Sequence, residues 1–426
     1  MQKVLIITYY WPPAGGPGVQ RWLKFVKYLS DFNIEPIVYI PENPHYPIVD
    51  ETFLEEVPKG IKIYKRPIFE PYGFARIFSK KKTKKISRGI INSKNQSGLE
   101  KLLLWVRGNM FIPDARKFWI KPSVDFLQDV IAKENIGTVI TTGPPHSLHL
   151  IGLELKKRTK IRWITDFRDP WTSIGYHKKL KLSNSSQEKH KRMEHTVLNE
   201  ADKIIVTSHI TKQEFSQITK KTITVITNGY DTVEGNSEIL DVDFTVSHIG
   251  SLLTGRNPIN LWKAFAELIH EIPDFKKYFK LQLAGVVSSD VLESIYFFGL
   301  QPYTHLLGYV SHTEALQYQK KSQVLLLIEI DSEETQGIIP GKVFEYMAAK
   351  RPILGVGPNN WEVGSLISDS NTGKTYDYHQ SNELKGTLLE WFRDYKKKQL
   401  ALPNAKIEQY HRRELTRELS KFLAWE

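Results

Sequence analysis

Two stretches of this chain space charged residues and glycines for work on an anion. In EETQGIIPGKVFEYMAAKRPIL, residues 333–354, a loop of small residues ends in Pro340-Gly341 where a helical pattern begins. A helix start of that kind presents backbone N–H groups to a diphosphate. Lys342 adds positive charge there. Glu345 falls in the first turn, where a carboxylate accepts from both hydroxyls of a ribose. Upstream, HIGSLLTGRNP, residues 248–258, runs a strand into a glycine loop. Gly250 and Ser251 allow close approach, and Arg256 offers a guanidinium that clamps phosphate oxygens with two hydrogen bonds. Each also has a plainer reading. Glu345 can serve the helix dipole, worth about a few tenths of a kcal/mol, and Arg256 can be a solvated loop residue.

A third stretch, YYWPPAGGPGVQRWLKF, residues 9–25, follows directly on QKVLIIT. Gly15, Gly16 and Gly18 do not form the dinucleotide fingerprint G-x-G-x-x-G. They admit positive φ and leave the backbone bare, while Pro17 and Gly18 open a helix whose N–H groups favour an anion or sugar hydroxyls. Gly16 and Gly18 are therefore candidate ligand contacts, and Arg21, one turn into the helix, is placed to reach an anion over the loop. The alternative is a glycine turn with no ligand.

These loops need strands to carry them. Buried strand patterns fall at Val4–Thr8, Glu35–Ile40, Ile61–Arg66, Thr138–Thr142, Ile161–Thr165, Lys203–Thr207 and Thr222–Ile226, with helical patterns at Val19–Ser30, Trp119–Lys133, Ser147–Lys157 and Gln187–Glu200. Such alternation specifies a mostly parallel sheet with helices on both faces. A polar, turn-rich linker, residues 227–243, interrupts it, and the same grammar restarts at FTVSHIG and runs to RPILGVG. The fold expected is α/β with two Rossmann-like domains facing a cleft: residues 1–235 with an insertion around 69–113, residues 236–405, and a crossover helix at 406–426 that crosses the junction.

The second half resembles the sugar-nucleotide domain of family 4 glycosyltransferases, retaining enzymes of the GT-B architecture. Their donor motif is a glutamate, seven residues, a second glutamate, then a small-residue helix and G-x-P-[VI]. Glu345 matches the second glutamate, which in the family serves the donor ribose. The first position holds Gly337 instead, leaving Glu333 or Glu334 as the nearest substitutes. Where the family has a Gly-Arg pair and a later lysine on the diphosphate, this chain has Gly250-Ser251 and Arg256. Lys342 or Arg351 is the candidate for the missing cation. In the first half, IRWITDFRDPW offers Asp166 or Asp169 at the family's acceptor-facing position, and TTGPPHS offers His146. Within DFRDPW both aspartates can instead pair with Arg168, and His146 can be a capping or core residue.

The resemblance implies transfer of a sugar, with retention, from a nucleoside diphosphate sugar to a hydroxyl of a glycan or lipid-linked acceptor, hexosyltransferase-like and in surface polysaccharide biosynthesis. Asp169, His146 and Arg256 are then the catalytic candidates. The donor contacts are Gly16, Gly18, Gly250, Ser251, Arg256, the loop Gly337, Ile338, Ile339 and Gly341, and Lys342 with Glu345. No cofactor beyond the donor and no metal is expected, since GT-B enzymes neutralise the diphosphate with amides and cations. His190, His195, His305 and His312 lack metal-ligand spacing.

Composition limits the rest. The chain has 426 residues, no cysteine and a formal charge of +12, which excludes disulfides and thiolate chemistry and asks for an anionic partner. PYGFARIFSKKKTKKISRGI, residues 71–90, and LEKLLLWVRGNMF, residues 99–111, combine lysines with apolar side chains. Each lysine near an anionic leaflet contributes about 1 kcal/mol, so the expectation is a cytoplasmic protein that docks on the inner face of the cell membrane; a solvated loop is the alternative. The rivals are a non-hydrolysing nucleotide-sugar epimerase, a catalytically silent nucleotide-binding scaffold and a nucleic-acid-binding protein. No nucleic-acid module is visible.

Overall fold

The computed structural model describes residues 1–71, 98–178, 180–231, 239–402 and 404–424. The lysine-rich stretch of the insertion, including Phe74, Ile77 and Phe78, lies outside the described residues, as does part of the linker. The chain divides into two units, Met1–Asn228 with Arg412–Glu426, and Gly229–His411. The division falls after Asn228, and the C-terminal helix belongs to the first unit.

Unit 1 is built on a seven-stranded parallel sheet in the order β3-β2-β1-β4-β5-β6-β7. Its strands are β1 (Gln2–Ile7), β2 (Ile34–Pro41), β3 (Lys62–Arg66), β4 (Thr138–Gly143), β5 (Arg162–Phe167), β6 (Lys203–Val206) and β7 (Thr222–Val225). The central strand β1 pairs Gln2 with Ile34 on one side and Val4 with Thr138 on the other. Val4, Leu5, Ile6 and Ile7 are all fully buried, which is why the run is continuously apolar: both faces of the sheet are covered. Helix Pro17–Leu29 starts with proline at its first turn and lays Val19, Trp22, Leu23, Val26 and Leu29 on one face. Helix Arg412–Leu423 adds Leu415, Leu419 and Leu423 to the same cluster. Each such side chain contributes about 1.5–3 kcal/mol by leaving water.

Unit 2 repeats the plan with six parallel strands in the order β10-β9-β8-β11-β12-β13. They are β8 (Phe244–Ile249), β9 (Phe279–Ala284), β10 (Thr304–Gly308), β11 (Val324–Ile328), β12 (Ile353–Gly357) and β13 (Gly373–Asp377). All five residues of β11 are buried. Strand β13 and helices Glu362–Asp369 and Ser381–Lys396 extend the unit beyond the last element legible in the sequence. β13, GKTYD, lies on the sheet edge with no fully buried residue, so it lacks the apolar run by which its neighbours are recognised.

In both sheets the strand order reverses once, between β1 and β4 and between β8 and β11. Ligands of open parallel sheets bind outside the carboxyl ends of the strands at such switch points.

Candidate functional site

The switch point of unit 2 gathers three of the charged residues singled out in the sequence, Arg256, Lys342 and Glu345. β8 ends at Ile249, and Gly250 follows at φ +127°. A Cβ on Gly250 would stand 2.6 Å from the Lys342 ammonium, so any larger residue would displace that side chain as well as strain the backbone. Gly285, after β9, has φ +100°, and a Cβ there would meet the Gly250 carbonyl carbon at 2.7 Å. The short helix Lys342–Ala348 is tethered to β8 by Tyr346, whose hydroxyl accepts from the Ile249 N–H at 2.9 Å. That tether sets Lys342 beside Gly250.

Arg256 reaches the same place from the loop after β8. Its Nε and Nη2 donate to Glu329 Oε1 at 3.0 and 2.7 Å. Glu329 is buried at the carboxyl end of β11. Lys342 therefore sits among like and unlike charges: burial first, then Arg256, lower its pKa to about 8, against the pull of Glu329 and Glu345. His248, fully buried on β8, has its Nδ1 2.9 Å from the Leu326 carbonyl and is held neutral by burial and by Lys342 and Arg256. Glu345 is half-buried and accepts from Gln319 Nε2 at 3.1 Å.

Gly337, Ile338, Ile339 and Gly341 occupy the loop entering that helix, and Trp361 fastens it by donating from Nε1 to the Ile338 carbonyl at 2.9 Å. The loop spends part of its own hydrogen-bonding capacity: the Ile338, Val343 and Phe344 amides donate to Thr335, Pro340 and Gly341. Amide donation is thus narrower than the sequence implied, and the side-chain cations carry more of the positive charge. Ser251 is exposed next to Gly250.

Three residues considered in the sequence as substitutes lie as follows. Arg351 is buried and bonds to Ser322, Gln323 and Leu400, so it braces the fold, and Lys342 is the cation that lies near Arg256. Glu333 and Glu334 are exposed in a 3-10 turn, with Glu334 accepting from Ser332. The buried carboxylate beside the cations is Glu329, which the sequence reading passed over. Its only signal was its place, directly after five apolar residues.

Unit 1 treats its switch point differently. Gly16 has φ +92° before helix Pro17–Leu29. A Cβ on Gly15 would strike Ile48 at 2.8 Å, and one on Gly18 would overlap the Arg168 guanidinium. Two of the three glycines are thus explained by neighbours inside the protein. Arg21 does not reach over the loop. It is buried, with Nη2 2.8 Å from Asp166 Oδ1 and Nη1 donating to the Thr227 carbonyl. Asp166 also accepts from Trp22 Nε1 at 2.7 Å and Thr142 Oγ1 at 2.8 Å, and Arg21 heads the attractions that hold its carboxyl ionised. Asp166 is therefore a structural anchor paired with Arg21, not Arg168.

Arg168 instead donates to the Pro144 carbonyl and lies over the Tyr10 ring, 5.5 Å from its centroid. Asp169 is half-buried just past β5, and its surroundings push its carboxyl pKa up against the pull of Arg168. His146 stacks on Trp171 with centroids 4.7 Å apart. Its two ring nitrogens are buried without a hydrogen-bond partner among the described residues, and burial holds the ring neutral. His149 shares that pocket, its pKa lowered by burial to about 3. In this arrangement His146 offers no exposed nitrogen to a ligand. Among the described residues no cluster of three His, Cys, Asp or Glu could hold a metal ion.

Comparison with known proteins agrees with this architecture. Residues 96–234 match the model of Glycosyltransferase Family 4. No curated protein matches the chain. Among solved structures, sucrose-phosphate synthase from Thermosynechococcus elongatus is similar with TM-score 0.60 at 13% identity, covering 99% of this chain and 98% of that one. S. aureus TarM, in complex with fondaparinux, alpha-GlcNAc-glycerol and UDP, gives TM-score 0.58 at 13% identity, with 100% of both chains covered. A putative UDP-N-acetylglucosamine 2-epimerase from Listeria monocytogenes gives TM-score 0.54 at 14% identity, covering 98% and 94%. The family match falls almost wholly in unit 1, although the motif that first carried the resemblance lies in unit 2. One segment of the chain thus resembles glycosyltransferase family 4, and the chain as a whole shares the fold of two Rossmann-like domains with these structures.

Proposed function

We propose that this chain is a retaining glycosyltransferase that moves a sugar from a nucleoside diphosphate sugar to a hydroxyl of a glycan or lipid-linked acceptor in surface polysaccharide assembly. The observation that carries the reading is Lys342 beside Gly250, with Arg256 close enough to repel its ammonium and Glu345 one turn along the helix from Lys342. Two cations suit a diphosphate, and a carboxylate at that remove suits the ribose. In the reaction the anomeric carbon–oxygen bond breaks and its electrons leave with the diphosphate. Lys342 and Arg256 stabilise that charge, a role for which one lost donor costs about 100- to 1,000-fold in rate. The acceptor oxygen bonds to the same face of the sugar while a donor phosphate oxygen takes its proton. Asp169 orients the acceptor, and His146, packed on Trp171, supports the loop around it.

An epimerase reading draws on the Listeria neighbour's fold; isomerisation of the donor with no acceptor present would favour it. Docking on a membrane draws on helix Gly98–Met110, where Leu102, Trp105 and Met110 are exposed. Among the described residues no helix is long and apolar enough to cross a membrane.

The test is a thermal-shift panel of nucleotides and nucleotide sugars. Nucleoside diphosphates should raise the melting temperature, and Glu345→Ala should remove much of that rise. A full response in the mutant takes Glu345 out of the site.

A further inference from the structure

We propose that Glu329 is the positioning residue that aims Arg256 at the diphosphate subsite, an assignment that rests on the donor-binding reading above. A buried carboxylate beside an anion site weakens anion binding by its own charge, so its place there calls for a compensating task. The geometry supplies one. Glu329 is the first residue past β11, the strand adjoining β8 at the switch point. Its Oε1 accepts from its neighbour's Ile330 N–H at 2.9 Å, which fixes the carboxylate, and from Nε and Nη2 of Arg256 at 3.0 and 2.7 Å. Tyr378 donates to the Glu329 carbonyl at 2.8 Å and holds the backbone.

A guanidinium carries five N–H donors in one plane. Glu329 binds one edge of that plane, so the plane is set and the opposite edge remains for two phosphate oxygens. Arg256 would otherwise be a long side chain with many rotamers, repelled by Lys342. The charged and titratable groups around the pair are Glu345 on the Lys342 helix, neutral His248 on β8, and Tyr378 and Asp331 near Glu329. Glu329 also helps keep the Lys342 ammonium protonated against burial and Arg256.

The experiment is calorimetric titration with inorganic pyrophosphate and with UDP, GDP and ADP, from acid to alkaline pH, on the wild type, Glu329→Gln and Glu329→Ala. In the wild type, affinity should fall as pH rises past about 8, where Lys342 loses its proton. Glu329→Ala should weaken pyrophosphate and the tightest nucleotide about tenfold, with the corresponding nucleoside unaffected. Glu329→Gln keeps the shape and an acceptor oxygen but loses the charge, so its alkaline fall should begin at lower pH, a shift that a merely structural role would not produce. Variants that bind pyrophosphate as tightly as the wild type or more tightly, with an unmoved alkaline fall, would show that Glu329 only neutralises Arg256 and overturn the assignment. A wild type that binds none of the four anions would instead sink the donor-binding reading, and the assignment with it.

Discussion

At the end of β1 the arginine of the helix that follows, Arg21, is spent on a buried partner: Asp166 neutralises it, and Trp22 and Thr142 complete the carboxylate's bonds. At the end of β8 the balance is different, because Lys342 lies against Gly250 within electrostatic reach of Arg256, and the buried Glu329 meets only one edge of Arg256. Both loops join a buried strand to a glycine turn at a switch point, and both are rich in the same residue types. What separates Arg21 from Arg256 is whether the buried carboxylate is matched to that arginine alone or lies among two cations. A basic residue after a glycine loop is therefore weak evidence for an anion site until its partner is known.

The comparison breaks most sharply at Asp166. Replacing it by alanine leaves Arg21 buried and unpaired and strips the acceptor from Trp22 and Thr142. The expected loss is about 3–5 kcal/mol of stability, measured by denaturant unfolding. A loss under about 1 kcal/mol, the range of an exposed pair, would mean that Arg21 finds another partner and that the unit 1 loop is not neutralised as described.

The glycines sharpen the same contrast. Gly285→Ala puts a methyl 2.7 Å from backbone at φ +100°, where nothing yields easily. About 1–3 kcal/mol of strain is expected, with weaker nucleotide binding because Gly250 must move. Gly18→Ala meets only the end of the Arg168 side chain, which can swing aside. Its cost should stay below about 1 kcal/mol, within the usual range for an undemanding substitution. Equal costs by thermal unfolding would erase the distinction between backbone and side-chain crowding.

Much of the fold was legible because buried parallel strands are continuous apolar runs: VLII, VLLLI and the rest announce themselves. β13 was not, since an edge strand needs no such run. In the candidate site, the place of Lys342 and Glu345 at a helix start after small residues was legible, as was that of Gly250 after a strand. The partners were not. Arg21 and Asp166 lie 145 positions apart, and Arg256 and Glu329 lie 73 apart. Local pattern states where a strand ends but not which strand lies beside it, so the same arginine reads as ligand-binding or structural until the sheet order is known. His146 illustrates the converse. Its position after β4 looked functional, but stacking on Trp171 depends on a loop beyond β5.

The central claim is that the cation pair of unit 2 holds a diphosphate. Calorimetric titration of the wild type and Lys342→Met with UDP, GDP and ADP tests it most directly. The account predicts that at least one of these binds the wild type and that the substitution weakens it about tenfold or more, as expected for loss of a charged hydrogen bond. Equal affinity in the two proteins would contradict it.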